Sequence, residues 1–278
     1  MALRINTNIA AFNAYRQLGI TDSKLTTSIE RLSSGYRINK AKDDVAGLAI
    51  ANKFRNEVRS LRKAQDNAAQ AGAMLQVAEG GASKIEEIVE RLKELATQAA
   101  SSNTDSDGRT RLNAEAAELL EEIDRIANDT KYSGTSLLNA AVTLTFQVGS
   151  GNTTTQDIIE VSTSDGLLTS DLGLGTADKI TLTSLASAQA ALANIDSALT
   201  SVNVVLGDIG AGQSRLDFAA ANVGVAVENL AASESTIRDV DMAFEMVNFT
   251  RNQIMLQAGT AMLAQANMAP QQVLALFR

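Results

Sequence analysis

The stretch from Leu185 to Ile237, LASAQAALANIDSALTSVNVVLGDIGAGQSRLDFAAANVGVAVENLAASESTI, decides the fold. Apolar residues recur in it at alternating steps of three and four. Leu185, Ala188, Leu192, Ile195, Leu199, Val202, Leu206, Ile209, Leu216, Ala220, Val223, Val227, Leu230 and Ile237 keep one phase, interrupted only at Gln213 and Glu234. A heptad sustained this long predicts a coiled-coil seam, because a 3.5-residue repeat keeps one stripe facing its partner. One straight helix of this length spans roughly 80 Å at about 1.5 Å per residue. A single globule of this chain length is only about 40 Å across. The expectation is therefore a helical rod.

The first half of the chain supplies partners for that seam. Leu75, Ala78, Ala82, Ile85, Val89, Leu92, Ala96 and Ala99 keep the same alternation, and Leu112, Ala116, Leu119, Ile123 and Ile126 repeat it. The polar run SSNTDSDG at 101–108 breaks the helix between them and turns the chain. A second break is SSGYRINKAKDDVAGLAIA at 33–51. There Gly35 ends the helix carrying Leu25, Ile29 and Leu32, and Asp43-Asp44 can cap the next one. Between about 140 and 183 the period changes. Val142–Val148 alternates with period two, Ile180–Thr183 does so more briefly, and Ile158–Val161 is a third apolar segment. Gly149–Asn152 reads as a turn, so a small β-hairpin region is expected. Gly173 and Gly175 lack the lysine and spacing of a phosphate-binding loop and read as turns.

Composition removes whole classes of chemistry. The 278 residues hold no His, no Cys and no Trp, and one Pro, Pro270. Disulfides, thiolate nucleophiles, His-ligated metals and Ser-His-Asp catalysis are excluded. No cofactor and no metal site is expected. A hydrolase working through carboxylates alone stays open as an alternative, but it needs two acids converging in a cleft. Glu86, Glu87, Glu90 and Glu94 fall beside a helical seam instead. The net charge of -8 argues against nucleic acid as a partner. No apolar run reaches about 18 residues, so no membrane span is expected, and the first residues do not form a Sec-type signal.

Charge is unevenly spread. Arg31 to Lys63 holds nine Lys/Arg against three Asp/Glu, while Glu86 to Asp129 holds five against twelve. One reading is solvated helix faces. The other is a head-to-tail contact between basic and acidic blocks of two copies, with Arg59 and Arg62 as candidate charge contacts. Asn252 to Phe277 contains no charged residue and is rich in Ile254, Met262, Leu263, Val273, Leu274, Leu276 and Phe277. A helix apolar around its circumference must pack against something. Ile5, Ile9 and Phe12, on one stripe near the N-terminus, offer a partner. The two ends are thus expected to pair with each other and with neighbouring copies.

Several blocks carry a family resemblance. They are Ile5-Asn6-Thr7-Asn8, ERLSSGYRINKAKDDVAGLAIANKF at 30–54, ERLKELATQAA at 90–100, EEIDRIANDTKYSGTSLLN at 121–139, ENLAASESTIRDVDMAFEM at 228–246 and MLAQANMAPQQVLALFR at 262–278. Over nearly its whole length the chain resembles bacterial flagellin. The resemblance implies a mainly α fold: a long coiled-coil-like helical rod with a small β-hairpin region, the terminal helices pairing as a separate inner domain. The expected division is 1–42 and 238–278 for that inner domain and 43–237 for the rod, with the hairpin segment at about 140–183. Only about 45 residues separate Asn139 from Leu185, so a minimal form without variable outer domains is expected.

The resemblance further implies a non-enzymatic structural subunit that polymerises into the flagellar filament for swimming. It would be exported unfolded through the flagellar type III system and located outside the cell. The alternative within the superfamily is the hook–filament junction protein. Implied partners are further copies of the chain, an export chaperone at the C-terminal segment, and the filament cap and hook-junction proteins. ERLKELAT also resembles the segment by which flagellins engage the flagellin-sensing Toll-like receptor of animals. The resemblance places Arg91, Leu95 and Glu115 at the receptor-contacting positions, with Arg91 and Leu95 beside the seam and facing outward.

Overall fold

The computed structural model describes residues 8–175 and 180–276, with side chains as far as Met268. In chain order the elements are α1 (Ile9–Ser34), α2 (Val45–Ala99), α3 (Ser106–Asp129), β1 (Lys131–Tyr132), β2 (Thr135–Ser136), β3 (Thr143–Gln147), β4 (Ile158–Ser162), α4 (Leu185–Arg238) and α5 (Met242–Leu276). This is the expected mainly α architecture with a small hairpin region. The chain divides into two compact units, Met1–Asn56 with Asn229–Arg278, and Glu57–Glu228. The divisions fall inside α2 and α4, not at the helix breaks near 42 and 238 on which the sequence reading set them.

The second unit holds one continuous apolar core drawn from α2, α3, α4 and the segment between α3 and α4. All eight expected seam positions of α2, from Leu75 to Ala99, are buried. In α4 the seam is half shifted. Ala188, Ile195, Val202, Ile209, Leu216 and Val223 are buried as expected, but between them the covered positions are Ala191, Ala198, Val205 and Gly212. Leu192, Leu199 and Leu206 flank the core instead. Close helix approach selects the smaller side chain of each adjacent pair for the centre, and the leucines seal its edge. Gln213 is therefore no interruption. Gly212 occupies the core position, and Gln213 reaches outward to donate a hydrogen bond to Glu79 at 2.8 Å. By length and hydropathy α4 could cross a membrane. Its acids serve water-facing contacts, however: Asp196 pairs with Lys93 at 2.7 Å and Asp208 accepts from Ser164 at 2.8 Å.

The segment between α3 and α4 lies over this core. β3 and β4 pair antiparallel, Thr143 opposite Ser162 and Gln147 opposite Ile158. Inward-facing Ile159 and Val161 are buried. The loop between the strands is closed by Asp157, whose carboxylate accepts from the Gly151 and Thr153 amides. Ile180–Thr183 is not a strand. Its alternation has another cause: Ile180 and Leu182 point into the core, and the Leu182 amide donates to Asn113 on α3 rather than to a ladder. An additional hairpin, β1 with β2, turns on Ser133-Gly134, both with positive φ (50° and 88°). A two-residue turn of this kind matches strand twist, and the Ser-Gly pair was its signal.

In the first unit α1 packs on α5. Gly35 ends α1 in the left-handed conformation (φ 74°), as expected, with its amide on the Arg31 carbonyl. The connector that follows is pinned to the strand-like residues after α4. Tyr36 bridges Asp239, the Arg37 amide donates to the Arg238 carbonyl at 2.7 Å, and the Arg238 guanidinium sits 4.2 Å from the Tyr36 ring centre. The paired acids divide the capping work. Asp44 accepts from the Gly47 amide and caps α2, whereas Asp43 turns back onto the Asn39 and Lys40 amides. Those two bonds, led by the one from Lys40, hold the Asp43 carboxyl below its ordinary value.

Candidate assembly surface

The first unit buries little. Its α1–α5 seam follows a heptad in which leucines alternate with small and polar residues. Ala11, Ala14, Leu18, Thr21, Leu25, Ser28 and Leu32 from α1 meet Glu245, Asn252, Leu256, Gly259, Leu263 and Ala266 from α5. Thr21, Ser28 and Glu245 are the members of this seam that are fully buried. Glu245 is met by Arg31 at 3.7 Å. A Cβ on Gly259 would lie 2.9 Å from Leu18, so glycine gives that leucine its seat. At the far end the Asn8 side chain caps α1 and also donates to the Ala266 carbonyl at 2.7 Å.

Large apolar side chains face outward. Among the described residues twenty are exposed, sixteen of them in this unit and four in the larger one. Phe12 is 75% exposed, Ile254 60% and Met262 65%. Ile9 and Phe12, expected to form the pairing stripe with the C-terminal helix, instead point away from α5. Ala11 and Ala14 take the contact because small side chains let two helices approach closely, and Leu18 fits beside them over Gly259. Leu263 is half-buried in the seam. Ile5 and the side chains of Val273, Leu274 and Leu276 lie outside the described residues. Met246, Val247, Thr250, Arg251, Ile254 and Met255 line an open groove on α5 of about 480 Å³.

Charges on the larger unit form a second feature. Arg59 and Arg62 are exposed, with no ion pair to any described residue. In the acidic block Arg91 joins Glu94 at 2.7 Å and Glu115 at 3.0 Å, and these two carboxylates hold its guanidinium more firmly protonated. Glu90, Glu118 and Glu121 are exposed and make no ion pair with any described residue. The acids considered for hydrolysis, Glu86, Glu87, Glu90 and Glu94, lie along the surface of α2 and do not converge in a cleft.

Leu95 is the clear correction. It is 1% exposed and belongs to the core. Here α2 has neighbours on two sides: Arg91 reaches Glu115 on α3 and Lys93 reaches Asp196 on α4. A helix covered from two sides buries a wider arc than a two-helix seam, so Leu92, Leu95, Ala96 and Ala99 are all inside. Arg91 and Glu115 do come together at the surface.

Comparison with known proteins places this geometry in a family. The profile described as the bacterial flagellin N-terminal helical region matches residues 5–143, and that of the bacterial flagellin C-terminal helical region matches 192–277. A flagellin of Halalkalibacterium halodurans is 41% identical, over 99% of this chain and 99% of that protein. The flagellar filament 30.7 kDa core protein of Treponema maltophilum is 39% identical, over 98% and 99%. A solved structure described as a flagellar hook-associated protein of Vibrio parahaemolyticus shares the fold, with a TM-score of 0.59 at 14% identity over 71% of this chain and all of that one. With two matched regions spanning both helical ends and full-length relatives at this identity, the chain is a member of the bacterial flagellin family.

Proposed function

We propose that this chain is a structural subunit that polymerises with its own copies into the flagellar filament. One observation carries the reading: the apolar surface of α1 and α5 that the unit leaves uncovered. Burying each large side chain there stabilises an assembly by about 1.5–3 kcal/mol. The hook-junction alternative is supported only by a fold likeness, whereas the full-length relatives named above are a flagellin and a filament core protein. Fragments of native filament added to purified chain should elongate, as seen by electron microscopy. Phe12→Asp or Ile254→Asp should block elongation and leave monomer unfolding unchanged. Elongation by both variants at the parent rate would sink the proposal.

Further roles are proposed from the family resemblance and, for the charge contacts, from the uneven spread of Lys/Arg and Asp/Glu. The subunit is exported through the flagellar type III system and acts outside the cell. An export chaperone covers the C-terminal helix beforehand, and the cap and hook-junction proteins contact filament ends. Arg59 and Arg62 meet unpaired acids such as Glu118 and Glu121 of a neighbouring copy. The animal receptor contacts the exposed Arg91–Glu115 pair, while Leu95 serves only the core beneath it. Loss of receptor activation on Arg91→Ala in monomer that still folds tests that contact.

A further inference from the structure

We propose that α5 is an oxidation-sensitive site: its methionines, converted to sulfoxides in the free subunit, stop it from joining a filament. The inference rests on the filament reading above and begins from composition. With no Cys, the seven methionines hold all the sulfur of the chain. Five of the seven lie on one helix, at Met242, Met246, Met255, Met262 and Met268. Their relative exposures run from 48% to 65%, so each of these residues is open to a small oxidant. Met74, by contrast, is partly buried against the core of the other unit. Thioether oxidation follows access, so the α5 set reacts first.

The chemistry is a two-electron oxygen transfer. Sulfur attacks one peroxide oxygen of hydrogen peroxide, an S–O bond forms, the O–O bond breaks, and water leaves. Sulfur is oxidised and peroxide is reduced. The product exchanges a flexible apolar group for a polar one. Its position gives the consequence. Met246 and Met255 line the open groove on α5, and Met255 and Met262 line a second beside Ala14, Leu18 and Gly259. A sulfoxide at these places presents an acceptor oxygen to a surface that has to become dry on assembly, where an unpaired polar atom opposes burial. In an assembled subunit the same methionines are covered, so the filament is protected and the free subunit is not. A sulfoxide reductase reverses the reaction.

The test treats purified full-length monomer with hydrogen peroxide, maps added oxygen by mass spectrometry, and then measures seeded elongation. The expected result is oxygen on the five α5 methionines before Met74, with elongation reduced at least tenfold. Reduction with methionine sulfoxide reductases A and B should restore it. Filament treated with the same peroxide should keep its methionines and its length. A variant with all five changed to Leu, similar in volume and still apolar, should elongate equally before and after peroxide. Should that variant fail to elongate untreated, the reductase arm on the parent chain decides. Elongation at the untreated rate by chain oxidised at α5, or loss that reductase does not reverse, overturns the proposal. Failure of the untreated parent to elongate would instead strike the filament reading, and this proposal with it.

Discussion

Three glycines within two turns of α4 separate helix propensity from packing. Gly207 and Gly210 have open space where a Cβ would stand. At Gly212 a Cβ would lie 2.7 and 2.9 Å from the two methyls of Val161 and 3.3 Å from Leu75. Alanine in place of glycine in a helix interior stabilises by about 0.5–1 kcal/mol. That gain is common to all three positions. Gly212→Ala carries an added cost, because Val161 is β-branched, buried and held in β4, and cannot swing aside. Forcing a methyl into such a core costs about 1–3 kcal/mol. Gly207→Ala and Gly210→Ala should therefore raise the unfolding midpoint, and Gly212→Ala should fall below both by that amount. At about 2–4 °C per kcal/mol for a unit of this size the gap is readily measured by thermal unfolding. Amide exchange in β4 should also quicken in Gly212→Ala alone. If all three variants gain stability equally, the hairpin does not dock on α4 at Gly212, and the small residues of that seam need another explanation.

Other perturbations probe the remaining surfaces. Leu95→Ala should cost about 2–5 kcal/mol in urea unfolding, as deletion from a filled core does, while Arg91→Ala should leave the curve nearly in place; equal effects would return Leu95 to the surface. Arg59→Glu should slow seeded elongation without moving the monomer midpoint, and sodium chloride should slow the parent by screening; a loss of monomer stability to match would mean that this arginine serves internal packing. Asp43 provides the pH dependence. Its carboxyl is held below the ordinary 3.8, first by the Lys40 amide. The stabilisation is therefore complete above the unfolded value and is lost as pH falls through the lower folded one. A carbon-13 titration of the Asp43 carboxyl should show a midpoint under 3.8, which Asp43→Asn removes together with the loop's ordered amides; a midpoint at or above that value contradicts the hydrogen bonds.

Periodicity revealed most of the larger unit, and the reason lies in what a helix seam demands. Along α2 every seam position from Leu75 to Ala99 is buried, because hydrophobic residues at three-four spacing fix which stripe turns inward. Periodicity does not fix how wide that stripe is. The spacing sets Leu95 beside the stripe, yet it is buried because α3 and α4 both flank α2, and the second neighbour appears nowhere in the spacing of α2 itself. The same gap explains α4, where Leu192 and Ala191 are adjacent and only the approach distance decides which is central. Hydrophobicity alone favours Leu192; the close partner admits Ala191. Ile180 and Leu182 alternate like a strand yet join no ladder among the described residues, since a two-residue period marks a covered face and not a ladder.

In the terminal helices the logic inverts. There Ala11, Ala14 and Gly259 bring α1 and α5 together around a row of half-buried leucines, and many large side chains, Phe12, Ile254 and Met262 among them, are left outside. A monomer built for its own stability would reverse that assignment, because a buried Phe contributes more than a buried Ala. Placing the strongest apolar groups where the single chain cannot cover them shifts stabilisation from the subunit to the assembly. It also leaves them open until assembly occurs, which is why the methionines of α5 are at once the adhesive surface and the exposed sulfur among the described residues.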